Sequence, residues 1–177
     1  MASMNRRIAA NEPLTFLGIE GGGTRSVALL ADAAGAVLHR ASAGPANLRL
    51  LSDAQLVRLF RSFRQQVRLP AALGIGLAGA RTQADRERIR QAAARVWPGI
   101  PCYATNDLET GLMAATPAAT GRQSRSRAAR RVVPAEIPRV LVLSGTGSCC
   151  FGRAVSGETV KVGGWGHVLG DQASGYD

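Results

Sequence analysis

Three short apolar runs, LTFLGIE (Leu14 to Glu20), SVALLAD (Ser26 to Asp32) and AVLHRAS (Ala36 to Ser42), follow one another with only a glycine turn and the tetrapeptide DAAG between them. Linkers this short join antiparallel neighbours, because a parallel pair needs a crossover of about a dozen residues or more. The chain therefore opens as an antiparallel meander. Its first turn, inside LGIEGGGTRS (Leu17 to Ser26), carries three consecutive glycines. Glycine inside a regular element costs roughly 0.5–1 kcal/mol relative to alanine, so a triplet belongs where the backbone takes φ > 0 or lets something approach closely. A tight hairpin turn meets that requirement. So does a phosphate cradle, in which bare backbone N–H groups face an anion and Thr24 adds a hydroxyl.

The pattern then changes period. In SDAQLVRLFRSFRQQVRL, Leu56, Leu59, Phe60, Phe63 and Val67 recur at helical spacing, and Ser52 with Gln55 three residues later forms a capping box. LGIGLAG (Leu73 to Gly79) is a buried-type strand, Thr82 caps a helix running through Val96, and WPG ends it. PCYATND supplies the next strand, and a helix from about Leu108 to Ala115 follows. Strands alternating with helices after Leu73 imply parallel pairing, with ligands at the carboxyl ends of the strands. A second glycine-rich turn lies in RVLVLSGTGSCCFGRA, where Val140 to Leu143 and Cys149 to Ala154 read as strands around Ser144 to Ser148. Two such turns in one chain suggest a pair of loops facing one polyanion. The closing VGGWGHVLGDQASGYD sets three glycines around Trp165, which packing alone does not explain.

Composition narrows the classes. The 177 residues suit about one domain, and no run reaches the ~18 apolar residues of a membrane span. Arg6 and Arg7 are not followed by the apolar segment of a signal peptide, so the expected location is the cytoplasm. Cys102, Cys149 and Cys150 lack CxxC spacing, which sets aside a zinc site and a disulfide framework. The net charge of +10 comes almost wholly from arginine, Lys161 being the only lysine. Much of it lies on helical faces, and much in GRQSRSRAARR (Gly121 to Arg131), which reads as a disordered insertion. No aromatics interleave with these cations to stack bases, so nucleic acid is not the expected partner.

In this order and roughly this spacing, GIEGGGTRS, AGPANL, TND, SGTGS and GGWGHVLGD resemble the motifs of the N-acetylglucosamine kinases, within the sugar kinase, heat-shock protein 70 and actin superfamily. They also resemble the neighbouring BadF/BadG/BcrA/BcrD-type ATPases. The match runs from Leu14 to the last residue, interrupted at Thr116 to Pro138. The resemblance implies an α/β, ribonuclease H-like (actin-like ATPase) lobe, a mixed five-stranded sheet flanked by helices, over residues 14–116. It implies a flexible N-terminus at 1–13, the Arg/Pro-rich insertion at 117–138, and the first strands of a second such lobe at 139–177. ATP and a sugar would lie between the lobes.

Roles follow one residue at a time from that resemblance. Gly22, Gly23 and Thr24 match the first phosphate loop, and Gly145, Thr146 and Gly147 the second. Glu20 matches the acid that organises hydrated Mg2+. Asp107 matches the catalytic base and also a sugar contact; read from the residues alone, it equally caps the helix beside it. Asn47, Gly164, Trp165, Gly166 and Asp171 match sugar-contacting positions, although Trp165 read alone also suits a core. Asp171 is followed by QASG where the family usually shows Glu-Gly-Ser, and family members continue through a complete second lobe. The expected activity is ATP-dependent phosphorylation of an N-acetylated amino sugar, N-acetylglucosamine to its 6-phosphate, with this length inactive by itself unless another chain completes it. A homodimer would do so. The alternative is a non-catalytic sugar- or nucleotide-sensing module derived from a kinase lobe.

Deleting Gly121 to Arg131 is expected to leave cooperative urea unfolding intact, because a polar loop buries little and loop length acts on entropy only slowly. Loss of the cooperative transition would show the segment to be structural.

Overall fold

The computed structural model describes residues 13–114, 137–145 and 147–165. Contacts divide them into two compact units, with the division between Asn106 and Asp107. Of the expected N-terminal tail and insertion, all but Pro13, Ile137 and Pro138 lie outside the described residues.

The first unit contains β1 (Thr15–Gly21), β2 (Ser26–Asp32), β3 (Val37–Ala43), α1 (Asp53–Arg64), β4 (Ala72–Leu77), α2 (Gln83–Ala94) and β5 (Cys102–Thr105). Its five strands lie in the order β3-β2-β1-β4-β5. β1 and β2 pair antiparallel from Thr15↔Asp32 to Gly21↔Ser26, and β2 pairs antiparallel with β3. β4 is parallel to both β1 and β5. This is the mixed sheet expected from three strands in hairpin succession followed by strands separated by helices. By these directions β1, β3, β4 and β5 all end at one edge.

Alternation decides which face is buried. Leu17 and Ile19 of β1, Ala28 and Leu30 of β2, and Leu73, Ile75 and Leu77 of β4 point to the same interior. α1 adds Leu56, Phe60 and Phe63, and α2 adds Ile89, Ala92 and Ala93. Both helices open with capping boxes: Ser52 with Gln55, as the sequence announces, and Thr82 with Asp85, where the sequence marks only the Thr82 cap. Trp97 is fully buried beside Phe60, their ring centroids 5.9 Å apart and tilted by 50°.

The second unit holds α3 (Asp107–Ala114) and an antiparallel sheet of β6 (Arg139–Ser144), β7 (Ser148–Arg153) and β8 (Thr159–Gly163) in the order β6-β7-β8. Leu108 and Leu112 of α3 pack with Phe151, Leu141 and Cys149, which is why α3 groups with this sheet. On the opposite face, cross-strand register aligns Val140 with Gly152 and Val160, and Val142 with Cys150 and Val162. All four valines are exposed.

Trp97→Ala is expected to destabilise the first unit by about 3–5 kcal/mol, the range for truncating a large buried aromatic. Urea denaturation followed by circular dichroism measures it; a loss below about 1 kcal/mol would mean that the site collapses around the smaller side chain.

Candidate functional site

Three loops meet at the carboxyl edge of the five-stranded sheet, joined by backbone hydrogen bonds. Ala78 N–H donates to Gly21 O at 2.7 Å, Leu48 N–H to Ala78 O at 2.8 Å, and Ala46 N–H to Gly22 O at 3.0 Å. The β1–β2 turn, the loop after β3 and the loop after β4 are thus one assembly. Gly21 makes the close approach feasible: a Cβ there would lie 2.6 Å from Ala46 Cβ and 2.7 Å from Leu77 Cδ2.

Glu20, Gly22, Gly23, Thr24 and Asn47 all belong to this edge. Glu20 is half-buried near the end of β1, its register partners being Val27 and Gly76. The turn closes through Gly22 N–H donating to Arg25 O at 2.9 Å. Gly23 and Thr24 are exposed, and their N–H groups have no partner among the described residues. Asn47 is half-buried, and its Oδ1 accepts from Arg49 N–H at 3.0 Å. That carboxamide crosses Gly79, whose φ of +82° suits glycine and whose Cβ, if present, would lie 2.4 Å from Asn47 Oδ1.

Charge fixes the Asn47 loop to α2. Arg49 reaches Asp85 Oδ2 at 2.6 Å with Nη2 and Gly79 O at 3.0 Å with Nε. The same carboxylate oxygen accepts from Arg81 N–H at 2.9 Å and Thr82 N–H at 2.8 Å. Burial pushes the Asp85 carboxyl upward, but the N–H groups of Arg81 and Thr82, the Thr82 hydroxyl and the Arg49 guanidinium outweigh it, leaving it below the ordinary carboxylate value.

In the second unit, Asp107 is the first residue of α3 and follows β5 in the chain after Asn106. Burial raises its carboxyl above the ordinary value, against the opposing pull of its own N–H, that of Leu108, and the charge of Lys161. Gly145 and Gly147 occupy the β6–β7 turn, where Gly145 N–H donates to Gly147 O at 3.0 Å. Lys161 Nζ contacts Gly164 O at 3.5 Å, and Trp165 is 75% exposed rather than core. Thr146, Gly166 and Asp171 lie outside the described residues. Two participants escaped the sequence: Asp85, three residues after the cap Thr82, and Lys161, whose status as the sole lysine was the one signal available.

The donor set fits the groups that the motifs imply. No cluster of three or more His, Cys, Asp or Glu among the described residues could hold a metal directly. Mg2+ commonly retains waters and takes one or two carboxylates plus substrate phosphates, so a single acid such as Glu20 suits it. The exposed N–H groups of Gly23 and Thr24 suit a phosphate.

Comparison with known proteins agrees with this architecture. The chain is 28% identical over 169 residues to an N-acetylmuramic acid/N-acetylglucosamine kinase of Clostridium acetobutylicum, covering 91% of this chain and 49% of that protein. It superposes on a candidate N-acetylglucosamine kinase of Chromobacterium violaceum with a TM-score of 0.59 at 20% identity, over 92% of this chain and 53% of the other. The fold is that of the actin-like ATPase sugar kinases. The chain also superposes on the ethanolamine utilization protein EutJ of Carboxydothermus hydrogenoformans with a TM-score of 0.55 at 12% identity, over 94% of this chain and 58% of the other. The chain spans about half the length of the curated relative. No family model matches it. No helix among the described residues is long and apolar enough to cross a membrane.

Asp85→Asn is expected to lower stability at pH 7 by about 1–3 kcal/mol, the range for weakening hydrogen bonds to a buried charged group. A carboxyl whose folded value lies below its unfolded value of ~3.9 stabilises the fold above that range and loses the contribution as pH falls through the folded value. Unfolding curves of the two proteins should therefore converge in acid. Curves that stay equally separated from about pH 7 to pH 2 would exclude Asp85 as the titrating group.

Proposed function

We propose that the chain forms part of an ATP-dependent kinase acting on an N-acetylated amino sugar, with N-acetylglucosamine converted to its 6-phosphate. The observation that carries this proposal is Asp107, a carboxyl raised by burial and coming two residues after the end of β5, in a chain similar over most of its length to an amino-sugar kinase. Open α/β sheets bind ligands beyond the carboxyl ends of their strands, and within the first unit Glu20, Gly22 to Thr24 and Asn47 lie at that edge.

In the proposed reaction the sugar 6-oxygen forms a bond to the γ-phosphorus while the bond from that phosphorus to the ADP oxygen breaks. The hydroxyl proton passes to the Asp107 carboxylate. In the first phosphate loop of Gly22, Gly23 and Thr24, Gly22 closes the turn and Gly23 and Thr24 donate to one part of the polyphosphate, while the turn at Gly145, Thr146 and Gly147 faces another. Asn47, Gly164, Trp165, Gly166 and Asp171 hold the sugar. Mg2+, held through water by Glu20, neutralises phosphate charge when bound. The proposed setting is the cytoplasm, with ATP and a small sugar as partners.

Base catalysis needs the ionised carboxylate, and a raised value narrows the pH range in which it is available. The rate should fall as pH drops through the Asp107 value, which lies above the ordinary ~3.9. In the full-length protein, Asp107→Asn is expected to lower kcat by about 10²–10⁴ with sugar affinity little changed, and to abolish that acid limb. A variant retaining more than about a third of wild-type turnover would remove Asp107 from the base role.

A further inference from the structure

Two arginines hold the loop between β3 and α1, and they hold it differently. Arg88 reaches Leu48 O at 2.9 Å, Leu51 O, and Asp53 Oδ1 at 2.6 Å, gripping the loop by its carbonyls and the head of α1. Arg49 acts at Asn47 itself. Its backbone N–H occupies Asn47 Oδ1, while its side chain is tied to Gly79 O and to Asp85 Oδ2. Asp85 is in turn fixed by two backbone N–H groups at the start of α2.

The consequence is chemical as well as mechanical. A free carboxamide offers both donors and an acceptor. Here the acceptor is engaged by Arg49, and Asn47 Nδ2 has no partner among the described residues. The group beyond the edge therefore meets a donor in a fixed position, matched to a neutral acceptor such as a hydroxyl or acetamido oxygen.

We propose that Arg49 and Asp85 form a latch that fixes Asn47 as a hydrogen-bond donor to the sugar, a role that rests on the chain being part of a sugar kinase. Arg49 is then a positioning residue for the sugar and not for the nucleotide.

The test uses the full-length protein and N-acetylglucosamine. Arg49→Ala should raise the sugar KM about tenfold, the effect of one misplaced hydrogen bond, with kcat and the ATP KM changed by less than about twofold. Arg49→Lys, which keeps the charge facing Asp85 but not the fork to Gly79, should fall between, and serves if the alanine variant fails to fold. In an Asn47→Ala background, Arg49→Ala should add nothing further, because the latch acts through Asn47. Amide exchange at position 49 should quicken in Arg49→Ala while the α1 amides stay protected. Equal rises in sugar and ATP KM, or full additivity with Asn47→Ala, would overturn the latch. If wild type phosphorylates N-acetylglucosamine and Arg49→Ala leaves its KM unchanged, the latch alone falls. If wild type phosphorylates no amino sugar, the proposed function falls and the latch with it.

Discussion

Everything assigned to the first unit depends on three backbone hydrogen bonds at one sheet edge, from Ala78 to Gly21, Leu48 to Ala78, and Ala46 to Gly22. They convert the ends of β1, β3 and β4 into a single rigid surface. Because these bonds are main-chain, the sequence requirement falls on the residues that must stay small enough for the chains to meet. Gly21 and Ala46 are those residues, packed where one added methyl would overlap both Ala46 and Leu77. A site built on such an edge is positioned by the core beneath it, by Leu77 as much as by the loop residues that would touch a ligand.

The sequence made the meander, both capped helices and the parallel strands legible, because each rests on local periodicity or on a cap within a few residues. The glycine triplet was legible as a site of close approach, but the approach at Gly21 is to the protein's own Ala46 and Leu77, and neither Gly21 nor Gly22 takes a positive φ. β8 went unread: TVKVG is short, carries a lysine, and has no following breaker pattern distinct from its own glycines. The Arg49–Asp85 pair was equally invisible, since its members are separated by 36 residues and meet only when the loop after β3 folds over that after β4. Asp85 is a first-turn acid of α2, a position where an acid is ordinary and so draws no notice in a sequence. Gly79 and Asn47 follow the same rule, their fit being a property of two loops together.

For the second unit, the hairpin around Ser144 to Ser148 was readable from its apolar flanks, whereas the grouping of α3 with that hairpin was not. It depends on Leu108 and Leu112 finding Phe151, a contact across more than one element. Asp107 heads that same helix, and its burial raises its carboxyl above the ordinary value.

The valine-lined face of β6, β7 and β8 has a colloidal consequence. Val140, Val142, Val160 and Val162 surround Gly152 and Cys150 with no charge among them, in a chain whose formal net charge is +10. Apolar contact draws such faces together, and like charge holds the molecules apart. The second force weakens with salt, its reach shrinking from about 30 Å at 0.01 M to about 8 Å at physiological ionic strength, while the first does not. Ionic strength, as much as concentration, therefore governs how long these molecules remain dispersed.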